Sequence, residues 1–442
     1  MLAVWYYRTN MVTSRRQTAI TRIRCLSALV ILVALLLLAR LYYVQIHQHQ
    51  LFLERGERQY VHTVAELYDR GSIFFTTKEG EAVSAASIQS GYVLAINPTH
   101  ISDPAATYDA LSAHLAIDRD EFISKAALPE RTYVEIDTRV PSATAEAILA
   151  AEIDGVLLYR NQWRYYPAES VAARTIGFVG YSDDPTEGLI GRYGLERYYE
   201  DVLTRENERI SVNFFAEIFA NVSGLWFDSR PERTGDVVTT IEPTVARFLD
   251  QTLRETQDEW GSQITGGIIM NPQTGAIYAM NTVPTYDLND RSGIGIETFQ
   301  NPLIENVYEL GSIIKPLTIA AGIDHGAISP GTTYYDAGSL ELDTFTIRNY
   351  DGRARGTVNM QEVLNQSLNT GVAFIVDTMG KNAFRSYFKA LRLGSETGID
   401  LPNEAFGLIS NLDSPRDVEY ATASFGQGIA LTPIAAVRAL AA

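Results

Sequence analysis

From Cys25 to Ala39 every residue is apolar or small, and beyond Arg40 the run resumes with Leu41, Tyr42, Tyr43, Val44 and Ile46. A bilayer span needs roughly 20 such residues. Residues 25–46 are therefore predicted to cross a membrane once, with Arg40 snorkelling toward the head groups beside Tyr42 and Tyr43. Residues 1–24 carry Arg8, Arg15, Arg16, Arg22 and Arg24 and no acidic side chain. The positive-inside rule assigns that tail to the cytoplasm and the remainder of the chain to the outside. No small-x-small cleavage site follows the apolar core, so a permanent anchor is expected rather than a removed leader.

Beyond the anchor the periodicity keeps changing. Leu51 to Leu67 reads as a polar amphipathic helix. Arg70 to Phe74 and Ala82 to Ser84 read as short strands around a turn, and Tyr108–Leu115 and Ser142–Ile153 as helices. Asp236 to Ile241 is a β-branched run that predicts a strand. Thr244 to Trp260 repeats apolar residues at helical spacing through Val245, Phe248, Leu249 and Leu253. Gly266–Met270 and Ala276–Met280 flank Asn271-Pro272-Gln273-Thr274-Gly275, which predicts a β-hairpin central to a sheet. The change of pattern puts a domain boundary at about residue 233, dividing a mixed region (47–232) from a second domain (233–442).

At 442 residues the chain is long enough for two or three domains. Its formal net charge of −17, with no basic stripe outside the N-terminus, argues against nucleic acid as a partner. Cys25 is the sole cysteine, which excludes an internal disulfide and a cysteine-based metal site. The six histidines are scattered, with none at the spacing of a zinc hydrolase, and no cofactor is expected.

The chemistry concentrates at Ser312-Ile313-Ile314-Lys315-Pro316. Residues three apart on a helix share a face, so the Lys315 amine is expected against the Ser312 hydroxyl. A lysine held neutral by burial can take the proton of a serine that is otherwise a poor nucleophile. Pro316 belongs in a first helical turn, which starts the helix near Gly311 or Ser312. That places Ser312 at the partially positive N-terminus. A second Ser-x-x-Lys, Ser386 to Lys389, sits in an amphipathic helix from Ala383 to Leu393 with charged neighbours, and reads as surface. Ser367-Leu368-Asn369 follows the first tetrad by some fifty residues.

Ser-x-x-Lys followed by Ser-x-Asn is the order found in penicillin-binding proteins and serine β-lactamases. The chain resembles a class B penicillin-binding protein, the membrane-anchored D,D-transpeptidase that cross-links peptidoglycan. Arg70-Gly71-Ser72-Ile73, Arg164-Tyr165-Tyr166-Pro167, Ile176–Gly180 and Tyr193-Gly194-Leu195-Glu196 resemble its pedestal. Gly266–Tyr286, Leu401–Glu404 and Gly426-Gln427-Gly428 with Leu431-Thr432-Pro433 resemble its catalytic domain, and the last two, together with the form of the Ser367 motif, favour the septal (division) type over the elongation type. The resemblance implies an α+β chain: a transmembrane helix, an elongated pedestal or dimerisation domain, then a β-lactamase-like transpeptidase domain of antiparallel sheet and helices. It implies Ser312 as nucleophile, Lys315 as general base, Ser367 as proton relay to the leaving amine, and Asn369 as the residue positioning donor peptide and lysine. It further implies peptidoglycan stem peptides as substrate and β-lactams as covalent inhibitors. No glycosyltransferase module precedes the pedestal, so a membrane-embedded glycosyltransferase and other division proteins are the expected partners.

Two departures stand out. Leu310 replaces the usual proline before Gly-Ser. No Lys-Ser/Thr-Gly follows Ser367, and the sequence stops inside an apolar helix (Pro433 to Ala442). That leads to the expectation of a truncated sequence, incomplete at its C-terminus and not a competent catalyst as it stands. The competing reading is a non-catalytic membrane-tethered scaffold or β-lactam sensor of the same fold. The anchor and large pedestal disfavour a serine β-lactamase.

Overall fold

The computed structural model describes residue 37 and residues 70–128, 130–183, 188–205 and 235–442. The apolar run 25–46, apart from Leu37, and the expected helix 51–67 lie outside the described residues. Among the described residues no helix is long and apolar enough to cross a membrane.

In chain order the first elements are β1 (Ile73–Thr76), β2 (Ala82–Ile96), α1 (Pro104–Ser112), α2 (Arg119–Ala126), β3 (Val134–Pro141), α3 (Ser142–Ala150) and β4 (Val156–Tyr165). There follow α4 (Ala173–Ile176), β5 (Val179–Tyr181), β6 (Leu189–Gly191), α5 (Gly194–Tyr198), α6 (Glu200–Leu203) and β7 (Val237–Val238). The chain forms two compact units, one including Ser90–Trp163 and the other combining Asp69–Gln89 with Arg164–Ala442.

In the first unit the second half of β2 pairs antiparallel with β3, from Gly91 opposite Pro141 to Ile96 opposite Val134. Leu94, Ile96 and Val140 from these strands pack with Leu111 of α1, Phe122 of α2 and Ile148 of α3. Asp103 and Asp118 start the first two helices by accepting backbone N–H groups that have no partner within the helix.

In the second unit β1 pairs antiparallel with the start of β2 around a turn closed by Thr77 N–H to Glu81 O, as the pattern predicts. On its other side β1 pairs in parallel with β7. The strand expected over 236–241 is only two residues long. Beyond it Thr239 still donates both its N–H and its hydroxyl to Phe74 O, and Thr240 turns its hydroxyl to Ile277 O. The polar side chains thus carry the chain off the ladder.

The rest of this unit holds α7 (Pro243–Trp260), β8 (Thr265–Met270), β9 (Ile277–Val283), α8 (Pro302–Glu305), α9 (Lys315–Asp324), β10 (Thr333–Asp336), β11 (Ser339–Leu342), β12 (Phe345–Arg348) and β13 (Gly356–Asn359). It ends with α10 (Met360–Asn365), α11 (Asn369–Met379), α12 (Lys381–Ala390), α13 (Asp417–Ala423) and α14 (Pro433–Ala441). The predicted hairpin is β8–β9, turning where Asn271 Oδ1 accepts the Gln273 N–H at 2.9 Å. Among the described residues these two strands pair only with each other, so the hairpin is not the centre of a larger sheet as expected.

Two apolar clusters fill the unit. One joins β1, α4 and β9 through Ile73, Phe75, Ile176, Ala279 and Met280. The other joins α9, α11, α12 and α13 through Ile314, Leu317, Val372, Ile375, Phe384, Phe388 and Tyr420. The second cluster clamps α9 against α11, and these two helices carry the candidate site.

Candidate active site

The approach to Ser312 is fixed by backbone. Tyr308 and Leu431 exchange N–H···O bonds of 2.9 Å each, and Gly428 N–H donates to Glu309 Oε1 at 2.8 Å. Gly311 then adopts φ +62°, a left-handed value that glycine takes without steric cost, and donates its N–H to Gly426 O at 3.2 Å. Residues 311–314 form one 3₁₀ turn that runs into α9, with Pro316 in the helix's first turn. In a 3₁₀ turn residues i and i+3 eclipse, so Ser312 lies over Lys315, as the spacing predicts. Ser312 is exposed, whereas Lys315 is only 1% exposed between Ile314 and Leu317.

The second segment comes from α10, whose N-terminus is capped by Asn359 Oδ1. Ser367 N–H bonds Leu364 O and Leu368 N–H bonds Val363 O, while the Leu368 side chain is buried. The chain reverses into α11 through Ser367, which sits at φ +53°. For a residue with a Cβ that conformation costs about 1–2 kcal/mol and persists only where the surroundings overdetermine it.

The two segments meet. Lys315 Nζ lies 2.9 Å from Ser367 Oγ and also donates to the Ser367 carbonyl, and Ser367 O–H donates to Ser312 Oγ at 3.0 Å. The contact expected directly between Lys315 and Ser312 therefore runs through Ser367, because the buried amine points toward the reversal at the start of α11. Burial lowers the Lys315 pKa to about 8. The ammonium loses water there and gains only neutral partners. If the two hydroxyl protons reverse direction, the chain of contacts becomes a path from Ser312 Oγ to the lysine amine.

Asn369 stands at the first position of α11, half-buried, and donates its amide Nδ2 to Arg348 O at 2.8 Å. All four residues singled out from the sequence are thus in one place. Sequence reasoning missed Arg348, which acts here through its backbone, and the buried polar group Tyr334, Asp336, Asn349 and Thr370 behind it. These come from three separate segments, 334–336, 348–349 and 370, without motif spacing, so no local signal marks them.

The second tetrad is surface, as read. Ser386 O–H turns back to Asn382 O, and Lys389 pairs with Asp413 at 2.7 Å on the outer face of α12. Arg164 and Tyr166 serve packing. Arg164 bonds Glu196 and Gly71 O, and Tyr166 O accepts from Asn289 while its hydroxyl accepts from Val179 N–H.

Residues 265–442 match the penicillin-binding protein transpeptidase domain, and residues 69–217 match the penicillin-binding protein dimerisation domain. Stage V sporulation protein D of Bacillus subtilis is 27% identical over 419 residues, covering 93% of this chain and 63% of that protein. Peptidoglycan D,D-transpeptidase FtsI of Escherichia coli K12 is 24% identical over 431 residues, covering 95% of this chain and 70% of that protein. The crystal structure of penicillin-binding protein 2X from Streptococcus thermophilus shares the fold, with a TM-score of 0.63 at 21% identity over 85% of this chain and 58% of that one. This chain spans 63% and 70% of the length of the two curated relatives. A dimerisation domain ahead of a transpeptidase domain, both matched here, identifies the chain as a member of the class B penicillin-binding proteins.

Proposed function

We propose that the protein cross-links peptidoglycan stem peptides by acyl transfer through Ser312, at division. The chain of contacts from Lys315 through Ser367 to Ser312 carries this reading. Lysine with a pKa of about 8 leaves roughly a tenth of the molecules with a neutral amine at neutral pH, enough to act as general base. Ser312 Oγ attacks the carbonyl carbon of the penultimate D-alanine while its proton passes by way of Ser367 to Lys315. The peptide C–N bond breaks, and the same proton returns through Ser367 to the departing D-alanine amine. The amine of a second stem peptide then attacks the ester carbonyl and gives a proton to Lys315; the bond to Ser312 Oγ breaks, and that proton returns through Ser367 to restore the Ser312 hydroxyl. The Ser312 backbone N–H supplies one donor to the oxyanion, and Asn369 orients the donor peptide. A β-lactam is opened by the same attack and stays on Ser312.

The same reading keeps residues 1–24 as a cytoplasmic tail, 25–46 as a single-pass anchor in the cell membrane, 47–232 as pedestal or dimerisation domain, and 233–442 as transpeptidase domain outside the cell. A membrane-embedded glycosyltransferase and division-complex proteins are its partners. The test is labelling of the intact gene product with a fluorescent penicillin. Wild type and Ser386→Ala take up label and Ser312→Ala does not. Label retained by Ser312→Ala and lost from Ser386→Ala would overturn the assignment.

A further inference from the structure

We infer that Asp336 is a positioning residue for this site, holding the Ser367–Asn369 segment in the shape that lets Ser367 link Lys315 to Ser312. The inference rests on the acyl-transfer reading above. Asp336 ends β10 and is fully buried. Its Oδ1 accepts from Thr370 Oγ1 at 2.8 Å, from Asn349 Nδ2 at 2.9 Å and from Gly338 N–H at 2.9 Å. Its Oδ2 accepts from Arg355 N–H at 3.1 Å and again from Asn349 at 3.0 Å. An acceptor-only group with four neighbouring donors sets the direction of every hydrogen bond around it.

That ordering reaches the reacting groups. The Thr370 hydroxyl reaches two acceptors, Asp336 Oδ1 at 2.8 Å and Asn349 Oδ1 at 3.1 Å; with its proton on the nearer, charged one, Thr370 Oγ1 is left to accept from Tyr334 OH, 3.1 Å away. With its amide N–H₂ on Asp336, Asn349 turns Oδ1 to the Thr370 backbone N–H at 3.3 Å, one of the N–H groups that lack a partner within the first turn of α11. A negative group beneath a helix N-terminus is also favourable electrostatically. Asn349 directly follows Arg348, whose carbonyl holds Asn369, and Thr370 directly follows Asn369. Residues 348–349 and 369–370 are therefore tied to one carboxylate. The left-handed Ser367 lies three residues before Thr370, and needs such a tie to stay in place. Gly371 completes the arrangement, since a Cβ there would stand 2.4 Å from Val363 and 3.0 Å from Tyr334 Oη.

The test measures the second-order rate of fluorescent-penicillin labelling on the intact gene product, normalised to the label taken up at saturation. Asp336→Asn presents an N–H₂ to groups that are themselves donors, and is expected to slow labelling ~10–100-fold, the scale of a small misplacement of reacting groups. In a Ser367→Ala background the same change is expected to slow it by less than ~3-fold, because the link it supports is already gone. Thr370→Val, which exchanges only the hydroxyl for a methyl, follows the same pattern and decides the matter if Asp336→Asn does not fold. Wild-type rates in both variants, or equal slowing with and without Ser367, would overturn the inference while leaving the acyl-transfer reading intact. A wild-type chain that takes up no label removes the reading and the inference together.

Discussion

Lys315 gives its amine to the hydroxyl and the carbonyl of Ser367 and not to an acidic partner. Burial among neutral groups lowers its pKa to about 8. Two pH effects follow. In the proposed reaction the neutral amine is the base, so the acylation rate is expected to rise with pH and level off above about 8. The folded state holds the proton less tightly than the unfolded chain, so between about pH 8 and the ordinary lysine range the unfolded state binds more protons and stability rises with pH. Below about 8 both states are protonated and this contribution to the pH dependence vanishes. Lys315→Arg places a group that does not deprotonate at the same point and should lower acylation by about 10²–10⁴-fold. Stopped-flow labelling from pH 6 to 9.5 checks the profile, and a rate that does not vary with pH over that range argues against lysine as base.

Gly426 backs the turn that presents Ser312. Its φ is +77°, and a Cβ there would stand 2.3 Å from Gly311 O and 2.7 Å from Gly311 N. Gly275 shares the left-handed conformation, at φ +76°, yet has open space around it. Gly275→Ala should therefore lose only the backbone term, about 1–2 kcal/mol, with unchanged labelling. Gly426→Ala must also push the Gly311–Ser312 turn aside, so it is expected to lose more stability and at least ~10-fold in labelling rate. Melting curves and labelling rates of the two variants, compared side by side, separate strain from displacement.

The parts of this site that were legible in the sequence are those held by local geometry. Ser312 and Lys315 share a turn, and proline and glycine bracket that turn. Ser386 and Lys389 have the same spacing, and their charged neighbours marked them as surface. The hairpin at 265–283 was legible because its turn chemistry is contained within five residues. Ser367 was legible only through its order after the first motif. Its left-handed φ and its place between Lys315 and Ser312 depend on α9 and α11 meeting. Asp336 and Asn349 left no trace, since a buried carboxylate and amide from a strand end and a loop look like any polar turn until the fold closes over them.

Glu196 is fully buried between two guanidinium groups, accepting from Arg70 Nε at 2.7 Å and from Arg164 Nε at 2.6 Å. The three residues come from segments 126 and 32 positions apart, so the cluster staples the start of β1 to β4 and α5. Glu196→Gln keeps the volume but takes the carboxylate away from the buried Arg164, while Arg70 still pairs with Glu200 at 2.8 Å. Breaking a buried ionic group in this way costs about 3–5 kcal/mol. Chemical denaturation of the purified protein measures it, and a loss below about 1 kcal/mol would mean that the cluster is dispensable.

Gly322 in α9 faces Ile375 in α11, and an added Cβ would lie 2.6 Å from Ile375 Cγ2 and 3.0 Å from Ile328 Cγ1. Two effects oppose each other in Gly322→Ala. Helix propensity favours alanine by about 1 kcal/mol, whereas overpacking a filled core costs about 1–3 kcal/mol. Ile375 is fully buried and Ile328 nearly so, which leaves little room to yield, so the net change is expected to be destabilising. Ile375→Ala alone opens a cavity at about 2–5 kcal/mol. Combined, the new methyl occupies space that the isoleucine vacated, and the double variant should be more stable than the sum of the single losses by at least ~1 kcal/mol. Because α9 carries Lys315 and α11 begins at Asn369, labelling by penicillin should fall in Gly322→Ala and recover partly in the double variant. Additive losses with unchanged labelling would show that the spacing of these two helices does not control the site.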